Sequence, residues 1–344
     1  MPTRLSTSRK TRLRYIDTEA GMGLLMPAFL ICKQSSDEST YMRLLRAAVL
    51  IFAIASYATL AASETNKLEA FPVSGGTLLI DWRGDFDAAE REKLKAWMSS
   101  VASTVRLLNG DLPRPIIRIA LQPNPSRSAV GFAQVLRNEP EGVLFYINPA
   151  YPLDEFITDW TAYHELSHLF IPFPGFNDVW FSEGLASYYQ NILQLRAGLL
   201  TAEETRQKFQ AAFERGQADD QHSDLTLGEL SPAMRERRAF MRVYWTGALY
   251  FMEADIQLRR LKKPMTLDDV LRGFGECCLA KPGRWNGLRI ARDFDAVVGE
   301  PLFVPLYNSY EQTLAIPDFA NTLSAPEMNS ILAPNPAPAA LVVE

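Results

Sequence analysis

The pentapeptide His164-Glu165-Leu166-Ser167-His168 is followed, past Pro172, Pro174 and Gly175, by Trp180-Phe181-Ser182-Glu183-Gly184-Leu185-Ala186-Ser187-Tyr188-Tyr189, and these two segments decide how the chain is read. The first lies in a stretch with helical spacing, Pro152 to Phe170. Four residues turn a helix by about 400°, so both imidazoles leave one face, about 6 Å apart along the axis. Two nitrogens so placed can share one ion at about 2.0–2.1 Å from each. Glu165 projects to the side of that face, where it serves a water rather than the metal, as a general base. The competing reading is two core histidines one turn apart. A chance match is expected in only about one or two chains per thousand of this composition, which favours the ion.

A tetrahedral catalytic site takes three protein ligands and keeps one position open. The chain holds three histidines, His164, His168 and His222. Leu169, Phe170, Ile171, Pro172 and Phe173 follow the second of them, and His222 sits in an acidic loop with Asp219, Asp220 and Asp224, where it reads as solvated. A carboxylate is therefore needed. A new helix opens near Asn177-Asp178, and Glu183 stands one turn into it, 15 positions after His168. A lone Glu near a helix start often does no more than complement the helix dipole. Here its apolar neighbours and the missing third ligand favour ligation. Ala186 and Ser187 share the face of Glu183, and their small size suits a close approach to the first helix. The expected set is one Zn²⁺ per chain on His164, His168 and Glu183.

Working outward, Gly76 to Trp82, Ile116 to Leu121 and Gly142 to Ile147 read as strands. Ala88 to Leu108 reads as a helix with Leu94, Trp97, Met98, Val101, Val105 and Leu108 on one face. After Asn148-Pro149 helices dominate: Pro152 to Phe170, Asp178 to Leu195, Thr201 to Arg215, Arg238 to Arg260 and Leu267 to Leu279. The 344 residues carry Lys+Arg 35 against Asp+Glu 40, a net charge of −5, which gives no electrostatic reason to seek nucleic acid. Three cysteines exclude a disulfide scaffold or a multi-cysteine zinc ribbon. Residues 42–63, with Arg43 and Arg46, an apolar run and Ala61-Ala62-Ser63, have the three parts of a signal peptide beginning at Met42. Residues 1–41 then read as an over-extended or disordered start. The alternative is an amino-terminal membrane anchor, but about 16 apolar residues fall short of the roughly 20 a span needs. Export would remove Cys32 and leave Cys277 and Cys278, neighbours read as buried structural thiols. Residues 321–344, rich in Pro and Ala, read as a disordered tail.

The two-helix zinc pattern resembles the gluzincins, zinc peptidases with two His from HExxH and a Glu from a later helix. Trp180 to Leu199 is similar to the third-ligand helix of the glycyl-aminopeptidase family and, more distantly, to the alanyl-aminopeptidase-like family. Val243 to Arg260 and Met265 to Phe274 are further matching blocks. The resemblance implies that Tyr244 donates a hydrogen bond to the oxyanion of a tetrahedral intermediate, although Thr246 stands where lysine is usual. It also implies an acid on the edge strand to grip a substrate amine. The strand expected in that place, Gly142 to Tyr146, has none but is suited to strand addition; Glu139 or Glu141 upstream is the candidate replacement.

The reading is an α+β protein with a thermolysin-like (gluzincin) catalytic domain, a sheet-bearing lobe over 64–170 and a helical lobe over 171–320. Its expected activity is hydrolysis of peptide or protein substrates, with no membrane span once the signal is cleaved. A catalytically weak scaffold that binds peptides or envelope partners is the alternative.

Overall fold

Asp87 accepts a hydrogen bond from the Glu90 N–H while the Glu90 carboxylate answers the Asp87 N–H, and this reciprocal cap starts the first helix. The computed structural model describes residues 68–333. Helix α1 (Ala88–Val105) links β2 (Gly76–Trp82) to β3 (Ile116–Pro123). With β1 (Glu69–Val73), β4 (Val130–Leu136) and β5 (Gly142–Ile147) they form a five-stranded sheet in the order β1-β2-β3-β5-β4. The β2/β3 and β3/β5 pairs are parallel; β1 and β4 run antiparallel to their neighbours. The apolar face expected on α1 is buried throughout, and Trp97 meets Phe145 of β5 edge-on at 5.2 Å.

The carboxy-terminal half is helical. It begins with α2 (Leu153–Thr158), α3 (Thr161–Ser167), α4 (Val179–Arg196), α5 (Ala202–Ala218), α6 (Leu227–Arg237) and α7 (Phe240–Arg259). It continues with α8 (Leu267–Cys277), α9 (Gly287–Val298), α10 (Phe303–Glu311) and two short turns of helix, α11 (Ala320–Leu323) and α12 (Glu327–Ile331). The α+β layout expected from the sequence is thus the one observed, and the sheet and the helices share one compact unit.

Several expectations change. Pro152 to Phe170 is two helices, because Asp159 turns extended and its Oδ1 accepts from the Thr161 N–H at 2.8 Å to start α3 afresh. The edge strand is β4, not Gly142 to Tyr146: β5 is hydrogen-bonded on both sides and cannot accept a further strand. Residues 321–333, expected in a disordered tail, pack Leu323, Met328, Ile331 and Leu332 into the core. Cys277 and Cys278 are joined as a disulfide rather than reduced, and Cys277 is exposed. The signal-peptide segment and residues 1–41 lie outside the described residues, as do residues 334–344. Among the described residues no helix is long and apolar enough to cross a membrane.

Helix α4 is the axis of the helical half, buried on nearly every side. Its close approach to α7 depends on Gly184 against Gly247. A Cβ on Gly184 would lie 2.3 Å from the Gly247 carbonyl carbon, and one on Gly247 would lie 2.2 Å from the Trp180 oxygen. Both obstacles are backbone and cannot rotate away. Gly247→Ala should therefore cost about 3 kcal/mol, the upper end for overpacking, and lower the melting temperature by roughly 5–10 °C. An unchanged thermal midpoint would show that the two helices do not depend on this contact.

Candidate active site

Helix α3 and the turn after it carry the two imidazoles. His164 lies in the last turn of α3, and His168 begins a short 3-10 turn over His168–Phe170. Their rings are 4.9 Å apart and nearly perpendicular. Pro172, Pro174 and Gly175, the last at φ +85°, reverse the chain into a second 3-10 turn, Phe176–Asp178, that leads into α4.

The start of α4 is held from three sides. The Trp180 N–H donates to Ser231 Oγ at 3.1 Å, and Asp178 accepts from the Gly287 N–H at 3.0 Å and from the Tyr307 hydroxyl. Further along, Tyr188 donates to Asp255 and Tyr189 to Asp268, each at 2.8 Å. So fixed, α4 delivers Glu183 Oε2 to 3.3 Å from His164 Nε2 and 3.6 Å from His168 Nε2. One ligand atom from each of the three side chains lies within 4.8 Å of the others.

These distances bear on a metal. Two ligands held at about 2.0–2.1 Å in a tetrahedral shell stand about 3.3 Å apart, close to both values. Two imidazoles and a carboxylate are also the donor types zinc takes. The other ring nitrogens are occupied: His164 Nδ1 is 2.9 Å from Gln190 Oε1, and His168 Nδ1 is 2.9 Å from Ser182 Oγ. A ring that donates through Nδ1 leaves its Nε2 lone pair free for a cation. Helix α4 thus carries the carboxylate of the trio and both side chains that occupy the outer nitrogens of the two rings. The residues present fit zinc.

The sequence reading gives no role to Ser182 or Gln190. Gln190 stands seven positions after Glu183, two turns along the same face, and that spacing was the available signal.

Charge within the trio is shared. Burial opposes the charge on Glu183, yet the two histidines outweigh it and hold the carboxyl well below its usual range. Burial likewise opposes a proton on His164, but the Glu183 hydrogen bond and the charges of Glu165 and Glu183 raise its pKa. Glu165 is raised, chiefly by desolvation, with both histidines pulling the other way. Tyr244 of α7 stacks on His164 at 6.0 Å, and burial and then Glu183 push its hydroxyl far above the usual phenol range.

The trio, Glu165 and Tyr244 line a cleft of about 710 Å³, walled by β4, the start of α3, the turn before α4 and helix α6. A larger cavity of about 1230 Å³ lies elsewhere and has none of these five residues on its walls. Glu139 and Glu141, the candidate amine grips, line that other cavity. Glu141 is moreover bound by Arg114 at 2.6 Å and Arg137 at 3.2 Å. His222 stays outside the site, its Nε2 3.2 Å from the Arg237 carbonyl oxygen. Thr246 is buried in α7.

The family model for M61 glycyl aminopeptidase matches residues 174–249, which takes in Glu183 and Tyr244. The resemblance drawn from the Trp180 to Leu199 block therefore holds over that stretch. An aminopeptidase N family protein from Idiomarina loihiensis is similar at 16% identity over 77% of this chain and 46% of its own, with a TM-score of 0.47. An M1 zinc metallopeptidase from Deinococcus radiodurans is similar at 14% identity over 73% and 52%, with a TM-score of 0.46. Leukotriene A4 hydrolase from Saccharomyces cerevisiae is similar at 14% identity over 79% and 40%, with a TM-score of 0.43. The chain spans about half the length of these proteins or less. No curated protein matches.

Zinc at about 100 times its dissociation constant should stabilise the fold by about 2.7 kcal/mol, read as a rise in melting temperature. Glu183→Ala should abolish the rise, and Gln190→Leu should weaken zinc binding by about 10–100-fold in a chelator competition. Zinc binding as tight in Glu183→Ala as in the wild type would exclude Glu183 as a ligand.

Proposed function

We propose that this chain is a zinc-dependent peptidase, with His164, His168 and Glu183 holding the metal, Glu165 as general base and Tyr244 as oxyanion donor. The observation that carries the reading is the convergence of the three ligand atoms within 4.8 Å in a cleft that Glu165 also lines. The match of residues 174–249 to a peptidase family model supports it. Zinc bound there supplies a Lewis acid that polarises a carbonyl and makes water acidic near neutral pH.

The chain's own groups do the rest. A Glu165 carboxylate with raised proton affinity suits a group that takes a proton from the attacking water and hands it to the leaving amine nitrogen. The Tyr244 hydroxyl, which keeps its proton at any working pH, is a donor for the oxygen where negative charge develops. The outer edge of β4 offers an extended substrate the backbone pairing first expected of β5.

The decisive comparison is wild type against Glu165→Gln. The variant should keep its zinc and lose about 10²–10⁴ in kcat on peptides. Tyr244→Phe should lose about 10²–10³ in kcat with little change in KM. A Glu165→Gln protein as active as wild type would remove the mechanism.

A further inference from the structure

We propose that the cleft selects polypeptide segments carrying bulky apolar side chains, with Phe132, Trp160 and Phe176 as the residues that determine this specificity. The inference rests on the peptidase reading above and adds the class of substrate. Seven large hydrophobic side chains are substantially exposed among the described residues. Three of them, Phe132 at 54%, Trp160 at 47% and Phe176 at 69%, line this one cleft. Single exposed hydrophobes on a surface need no explanation, but their convergence on a concave site does. They arrive from three separate places: Phe132 from β4, Trp160 from the start of α3, and Phe176 from the turn before α4.

Each ring is braced on one side and open on the other. Phe132 leans on Tyr146 at 5.9 Å, Trp160 meets His164 edge-on at 5.6 Å, and Phe176 meets Phe173 edge-on at 5.3 Å. Phe173 is in turn covered by the Arg137 guanidinium at 5.7 Å. A braced ring loses little freedom when a ligand covers it, so its open face is available for binding.

Exposed Gln134 and Arg235 also line the cleft, and two of the other polar groups there are committed. Arg137 pairs with Glu141, and an Asp159 oxygen caps α3 at the Thr161 N–H. The occupant best matched to this wall is an extended peptide. Paired along the β4 edge, it sets alternate side chains toward the cleft, where Phe132 shares one face of the strand with Gln134. A lipid chain would cover the rings but leave the edge's backbone groups unused.

The test is a peptide set identical except for one residue beside the scissile bond, Phe, Leu, Ala, Ser or Asp. Wild type should favour Phe and Leu over Ser and Asp by about 10-fold or more in kcat/KM. Phe132→Ser and Phe176→Ser should shrink that ratio through KM, with zinc content and circular dichroism unchanged. A wild-type ratio near one, or a ratio unaffected in both variants, would overturn the specificity and leave the peptidase intact. Should wild type cleave nothing, the peptidase reading falls, and fluorescence polarisation of the same peptides on Glu165→Gln protein judges this inference separately. Tighter binding of the Phe peptide, lost in Glu165→Gln/Phe132→Ser, would uphold it; equal binding of all five would overturn it.

Discussion

A carboxylate buried against two imidazoles is costly unless positive charge is shared among them. Glu183 sits in a helix buried on nearly every side, and its oxygen lies within 3.6 Å of both ring nitrogens. That contact constrains the rest. The α4 helix must enter at one height and one rotation, so its first turn is tied by Ser231, Gly287 and Tyr307, each from a different helix. A shift of one residue would turn Glu183 about 100° away and replace it with Ser182 or Gly184.

The same helix brings the second half of the site into range. Gly184 follows Glu183 directly, and Gly247 lies three positions after Tyr244, just under one turn. Backbone contact at the glycine pair therefore fixes how far Tyr244 stands from Glu183, and the effect of Glu183 on the Tyr244 hydroxyl reports that nearness. Bulk at either glycine would separate Glu183 from Tyr244. Packing and chemistry are here one constraint.

The sequence made the local parts legible. His164, Glu165 and His168 could be picked out because four residues nearly complete a turn, and Glu183 because it stands one turn into the next helix among apolar neighbours. The α1 face was equally plain from its period. What escaped depends on contacts between distant segments. Strand β4 (VGFAQVL) has no clean alternation, since Val130 and Ala133 are buried while Gly131, Phe132 and Gln134 are exposed. Without β4, the preceding strand looked like the edge. Helix α6 was hidden by Pro232 within it, and the α11 and α12 turns by the surrounding prolines. The break at Asp159 was hidden because Asp159 both ends one apolar pattern and accepts from the Thr161 N–H that opens the next. The disulfide of Cys277 and Cys278 lies at the end of α8, where adjacency argued for free thiols.

The division between what could and could not be read follows the division of labour in the cleft. The trio and Glu165 hold one geometry because they sit on two neighbouring rods, which leave a fixed spacing in the chain. The walls come from β4, the start of α3, a 3-10 turn and α6, elements bound by no common period. A residue such as Phe132 or Phe176 is exposed and carries no burden of folding, so it can change without disturbing the trio. On the proposed reading, substrate preference is thereby separable from chemistry: the rods would fix what reaction the site can run, and the rings around its mouth which chains reach it.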